Sequence, residues 1–71
     1  MNVTEAMEVV DEIYDLIKEY DGGSDDARGF FESVSEKADG ILQTIESRGR
    51  VTDRQAMALE NMLDGVRKLI R

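Results

Sequence analysis

One helix ends and another begins within the segment Gly49-Arg50-Val51-Thr52-Asp53-Arg54-Gln55. Thr52 and Gln55 have the spacing of a capping box, in which each side chain accepts a hydrogen bond from the backbone N–H of the other residue. Gly49 stands where the preceding helix needs a left-handed residue in order to end. The segment therefore predicts a tight corner, after which a helix begins at Asp53.

Apolar residues recur at spacings of three and four in three parts of the chain, which is the pattern of a buried helix face. The three series are Val3, Ala6, Val10, Ile13, Ile17 and Tyr20; Phe31, Val34, Ala38, Ile41 and Ile45; and Ala56, Leu59, Leu63, Val66 and Ile70. They predict helices over about 3–20, 26–47 and 53–70. Short connections between helices of similar length favour an all-α, three-helix antiparallel bundle with up-down-up topology.

Length and composition restrict the possible functions. The 71 residues suffice for one domain with one hydrophobic core, and no apolar run approaches the ~20 residues of a membrane span. Cysteine and histidine are absent, which excludes disulfides, thiolate or imidazole metal sites and the usual general base at neutral pH. The first residues, Met1 to Glu5, lack the basic and apolar regions of a signal peptide, so we expect a cytoplasmic protein.

The net charge of −7 is unevenly distributed along the chain. Residues 1–26 carry a net charge of −8, residues 27–47 carry −2 and residues 48–71 carry +3. An acidic front disfavours direct binding of nucleic acid and favours a partner protein with a basic surface.

The acidic residues of the first helix share one side, here called the acidic face. Its members are Glu5, Glu8, Asp11, Glu12, Asp15 and Glu19. Carboxylates on this face advance about 5–6 Å per turn, which is comparable with the ~7 Å between neighbouring phosphates of a nucleic-acid strand. The face can therefore imitate nucleic acid toward a basic partner. The alternative is a solvated helix face with salt bridges to Arg54, Arg67 or Lys68.

A second charged group surrounds the corner between the second and third helices. Arg48, Arg50 and Arg54 lie within seven positions of one another. They are candidates for a secondary contact with phosphate or with an acidic partner. The alternative for Arg48 is compensation of the negative end of the second helix.

Metal binding and catalysis find little support in the residue pattern. The segment from Asp21 to Glu32 has acids at the first, fifth and twelfth places of a calcium loop, but Gly23 offers no ligand at the third place and Asp26 replaces the required glycine at the sixth. Asp25 and Asp26 also fill the place where a phosphate would bind at a helix start. We expect no metal, no cofactor and no catalytic residue.

Two features of the apolar pattern leave alternatives open. Gly40 lies inside the second predicted helix, where it permits close approach of another helix, marks a bend or is simply tolerated. Val9, Leu16 and Met57 fall outside the main stripes. The residues expected to pack in the core are Met7, Met62, Phe30, Phe31, Tyr14 and Tyr20. If Val9, Leu16 and Met57 form an exposed apolar strip, it predicts either a partner protein or a homodimer.

The segment from Ile45 to Leu59 resembles a helix corner of small helical proteins from phage and prophage genomes. The shared pattern is glycine, any residue, an aliphatic residue, Ser or Thr, any residue, a basic residue and Gln, here running from Gly49 to Gln55. A compact acidic bundle of this size is similar in kind to anti-CRISPR and other host-defence inhibitors, several of which occupy nucleic-acid-binding surfaces. The resemblance covers the second half of the chain, carries over no functional residue and does not include the acidic face.

The sequence thus predicts a non-enzymatic protein-binding module. Its sharper form is a phage-encoded inhibitor whose acidic face engages a basic, nucleic-acid-binding surface of a host protein. The alternative is a small homodimeric regulatory or structural protein assembled through apolar surface.

Overall fold

The computed structural model of this chain describes residues 1–20 and 25–70, which form three helices. Helix α1 spans Val3–Glu19, α2 spans Asp25–Arg48 and α3 spans Asp53–Ile70. Each helix packs against the other two. The predicted all-α three-helix bundle is confirmed, with each helix end within one residue of its expected position.

Two capping boxes set the starts of α1 and α3. At α1 the Asn2 side chain accepts from the Glu5 N–H at 2.8 Å, and the Glu5 carboxylate accepts from the Asn2 N–H at 3.1 Å. At α3 the Thr52 hydroxyl oxygen accepts from the Gln55 N–H at 3.1 Å, and the Gln55 side chain accepts from the Thr52 N–H at 2.9 Å. The second box is the predicted one, and it is confirmed.

Gly49 ends α2 in a left-handed conformation. Its φ is +74°, and its N–H donates to the carbonyl of Ile45 at 2.7 Å, which is the hydrogen bond of a left-handed helix cap. At the other connection, α1 ends at Glu19 and Tyr20 is extended. The predicted joint at Gly22, Gly23 and Ser24 lies outside the described residues.

Two clusters of buried side chains show the direction of the helices. One joins Ile13 of α1 to the first half of α2 and the second half of α3, through Phe31 and Val66 among others. The other joins Val10 to the second half of α2 and the first half of α3, through residues that include Ile45 and Leu59. Helices α1 and α3 are therefore parallel and α2 is antiparallel to both, as the up-down-up topology requires.

Gly40 does not serve close packing between helices. Apart from the local backbone of α2, no atom of the described residues lies within 4 Å of the place where a Cβ would stand, and α2 is helical on both sides of the glycine. The Thr44 hydroxyl donates to the Gly40 carbonyl at 3.0 Å, inside the same helix. Of the alternatives raised by the sequence, close approach of another helix is excluded.

Candidate functional site

All six side chains of the acidic face are exposed to solvent. They lie on the side of α1 opposite Ala6, Val10 and Ile13, which are completely buried. This arrangement follows from the helical repeat of 3.6 residues, which separates the apolar and acidic series by about half a turn. α1 thus has its apolar side in the core and its carboxylates in water.

Two of the six carboxylates already have partners inside the molecule. Glu5 belongs to the capping box at the start of α1. Glu12 accepts a hydrogen bond from the guanidinium of Arg67 on α3, with 2.6 Å between Oε2 and Nη2. Lys68, which was another possible partner for this face, instead pairs with Asp64 of its own helix at 3.0 Å.

The other four carboxylates have no such partner. The side chains of Glu8, Asp11, Asp15 and Glu19 form no hydrogen bond or ion pair with any residue in the ranges 1–20 and 25–70. Within the same ranges Arg54 also has no ion pair, so the salt bridge considered for it from the sequence does not form. The unpaired carboxylates are spread along nearly the whole length of α1.

A contact between Tyr14 and Asp39 extends this acidic surface onto α2. The Tyr14 hydroxyl donates to the Asp39 carboxylate, and its oxygen also lies 3.4 Å from the carbonyl oxygen of Ser35. Burial raises the pKa of Tyr14 to about 12, with further contributions from the hydrogen bond to Asp39 and the charges of Asp39 and Asp11. Carboxylates from two helices, Asp11 of α1 and Asp39 of α2, therefore both raise the pKa of the Tyr14 hydroxyl.

The sequence pattern predicts only a packing role for Tyr14 and does not single out Asp39. The position of Tyr14 at the edge of an apolar stripe does indicate that its hydroxyl has a hydrogen-bond partner, because a buried tyrosine hydroxyl commonly needs one. The identity of that partner depends on how α1 and α2 face each other. Asp39 is 25 residues away along the chain.

The described acidic residues do not form a metal-binding group. In the described part of the chain, no group of three or more acidic residues is placed to hold a metal ion. The residues from Asp25 to Glu32 are helical, so this stretch does not have the open form of a calcium-binding loop. Asp21 and its three successors lie outside the described residues.

Arg48, Arg50 and Arg54 are all exposed at the α2–α3 corner. This corner lies at the end of the bundle where α1 begins, because α1 and α3 are parallel. Arg48 is in the last turn of α2, where its positive charge offsets the negative end of the helix. The three arginines form no ion pair with other described residues.

The exposed apolar side chains differ in part from those expected. Val9 and Leu16 are partly buried and pack against the core, whereas Met57 is 63% exposed. The three therefore form no common strip. Phe30 and Met7, which were expected to pack inside, are substantially exposed, as is Leu69.

No described helix combines the length and apolar character needed to cross a membrane. The candidate features of the described residues lie on the surface, namely the acidic face, the three arginines at the α2–α3 corner and a few exposed apolar side chains. Comparison of the chain with protein-family models, curated proteins and solved structures gave no match.

Proposed function

We propose that this protein is a non-enzymatic binding module whose acidic face engages a basic surface of another protein. The observation that supports this is the row of exposed carboxylates without partners among the described residues, Glu8, Asp11, Asp15 and Glu19. Charged rows of this kind increase the rate of association with a partner of opposite charge and fix its orientation.

The class of partner that fits is a protein with a nucleic-acid-binding surface. Such surfaces carry rows of Lys and Arg that match regularly spaced negative charges. Carboxylates on successive turns of α1 are about 5–6 Å apart, and Asp39 adds a further carboxylate beside the row. In its more specific form, the proposal is that this protein is a phage-encoded, anti-CRISPR-like inhibitor that acts in the cytoplasm. It competes with nucleic acid for binding to its host target.

The test uses two charge reversals that leave the fold intact. Glu8→Lys and Asp15→Lys change exposed residues that neither cap a helix nor form an ion pair, unlike Glu5 and Glu12. The matched control, Glu36→Lys with Glu60→Lys, makes the same change of net charge on exposed positions of the other two helices that form no ion pair with described residues. Circular dichroism melting curves establish that both variants are folded.

Immobilised wild-type protein is used to capture partners from a bacterial lysate, and each captured protein is purified and titrated with the three chains. We expect the acidic-face variant to bind roughly tenfold or more weakly, the control to bind nearly as wild type, and duplex DNA to compete with binding. Binding by wild type should weaken as salt is raised. Equal binding by the acidic-face variant and wild type would overturn the proposal.

The alternative proposal is a homodimeric regulatory or structural protein assembled through apolar surface. The observation that favours it is the exposure of Phe30 and Leu69, at 39% and 42%, in a protein with a small core. This alternative predicts a dimer that persists at high salt. Light scattering at low and high salt separates it from a monomer that binds only a basic partner.

A further inference from the structure

An apolar groove lies between α2 and α3, at the end of the bundle where α2 begins and α3 ends. Its volume is about 460 Å³. The floor and walls are Ala27 and Phe30 from α2 and Gly65 and Leu69 from α3, and the charged residues at its rim are Asp26 and Lys68. Two of the most exposed large apolar side chains of the described residues, Phe30 and Leu69, are therefore neighbours in one groove.

The groove exists because α3 has a glycine where Phe30 lies across it. A Cβ on Gly65 would stand 3.4 Å from Cζ of Phe30, so the ring rests close to the α3 backbone. The ring also packs against Phe31 of the core, with 5.9 Å between ring centroids. Phe30 is thus held by Phe31 and Gly65 while 39% of it stays in solvent.

The charges at the rim favour a second copy of the chain as the occupant. Asp26 is on the α2 side and Lys68 is on the α3 side. A twofold axis parallel to the groove exchanges the two sides, so that each acid of one copy meets the base of the other. Lys68 also pairs with Asp64, but both side chains of that pair are largely exposed and can exchange partners at little cost.

The position of α1 removes the main obstacle to self-association, which is the net charge of −7 on each copy. In a three-helix bundle the groove between α2 and α3 is on the side opposite α1. A twofold contact through this groove therefore turns both acidic faces outward and keeps them far apart.

We propose that a second copy of this chain covers the groove about a twofold axis. Phe30 and Leu69 of the two copies then pack together, and Asp26 of each copy faces the partner's Lys68. This inference goes beyond the binding of a basic protein, because it uses the opposite side of the molecule. The resulting dimer presents two acidic faces to its surroundings.

The test measures molar mass by sedimentation equilibrium over a wide range of concentration, at low and high salt. We expect a dimer that is at least as strong at high salt, since salt screens the repulsion between the two acidic chains. Leu69→Asp should weaken the dimer roughly tenfold or more. The matched control is Met57→Asp, which changes an exposed apolar residue of the same helix outside the groove and should leave the dimer intact.

A charge exchange gives a second test that does not depend on apolar packing. Asp26→Lys alone and Lys68→Asp alone place like charges opposite each other in a homodimer, so each variant should dimerise several-fold more weakly than wild type. Mixing the two variants restores opposite charges at both contacts, and the mixture should form heterodimers. A monomer under all conditions, or a dimer weakened by Met57→Asp but not by Leu69→Asp, would overturn the inference without affecting the proposed binding of a basic partner.

Discussion

Glu12 of α1 and Arg67 of α3 form a salt bridge of 2.6 Å, although they are 55 residues apart in the chain. The pair lies along the seam between two parallel helices and neutralises one carboxylate of the acidic face. Neighbouring acids at Glu8 and Asp15 lack such a partner among the described residues. The acidic face therefore has one edge, at Glu12, that is paired with α3. The outer row, which includes Glu8 and Asp15, is exposed to solvent.

The Glu12–Arg67 pair should contribute little to stability. Both side chains are about half exposed, and exposed pairs are worth about 0.2–1 kcal/mol. A double-mutant cycle with Glu12→Gln and Arg67→Gln, followed by chemical denaturation, should give a coupling within that range that decreases in high salt. A coupling well above it, or one insensitive to salt, would contradict this assignment.

The Tyr14–Asp39 contact predicts a loss of stability at high pH. The pKa of Tyr14 is raised from 10.0 to about 12 in the folded protein. Between these values the unfolded chain has lost the proton and the folded protein still holds it, so the free energy of unfolding decreases as pH rises. The stabilisation is complete below pH 10 and, after a discount for the partial exposure of Tyr14, amounts to about 1 kcal/mol.

Tyr14→Phe is the matched control for this pH dependence. It should cost about 1 kcal/mol at neutral pH, where the hydrogen bond to a charged group is lost. The difference from wild type should shrink as pH is raised through 10 to 12, whereas groups shared by both proteins cancel in the comparison. A difference that stays constant over this interval would show that the hydroxyl titrates normally.

Gly40 inside α2 and Gly49, the residue that follows α2, should respond to alanine in opposite directions. Gly40 is helical and has open space beside it, so Gly40→Ala should stabilise the protein by about 0.5–1 kcal/mol. Gly49 has a φ of +74°, so Gly49→Ala should destabilise it by about 1–2 kcal/mol. Thermal unfolding of both variants under identical conditions checks the sign of each change.

The capping box at the corner should be worth about 1 kcal/mol. Thr52→Ala removes the side-chain oxygen that accepts from the Gln55 N–H, and loss of such a cap costs about 0.5–2 kcal/mol. Thr4→Ala is the control, since Thr4 is exposed within the first turn of α1 and Asn2 is the residue that caps that helix. Urea denaturation should give a lower midpoint for Thr52→Ala and almost no change for Thr4→Ala.

The local sequence determined where the helices lie and how they end. Capping boxes and a left-handed glycine act over three or four residues, and the buried stripe of each helix follows from the repeat of 3.6 residues. For this reason the helix ends agree with their expected positions to within one residue. The exposure of the acidic face of α1 followed in the same way, because the opposite stripe had to be buried.

Only the tertiary structure decided which side chains on each helix face contact residues of another helix. Glu8 and Glu12 are equivalent in the pattern of α1, but only Glu12 meets a guanidinium, because Arg67 is brought beside it by the parallel packing of α3. Phe30 and Phe31 are adjacent in sequence, but Phe31 is in the core and Phe30 lies in the groove beside Gly65. The rotation of each helix about its axis sets these choices, and that rotation is fixed by packing between residues distant along the chain.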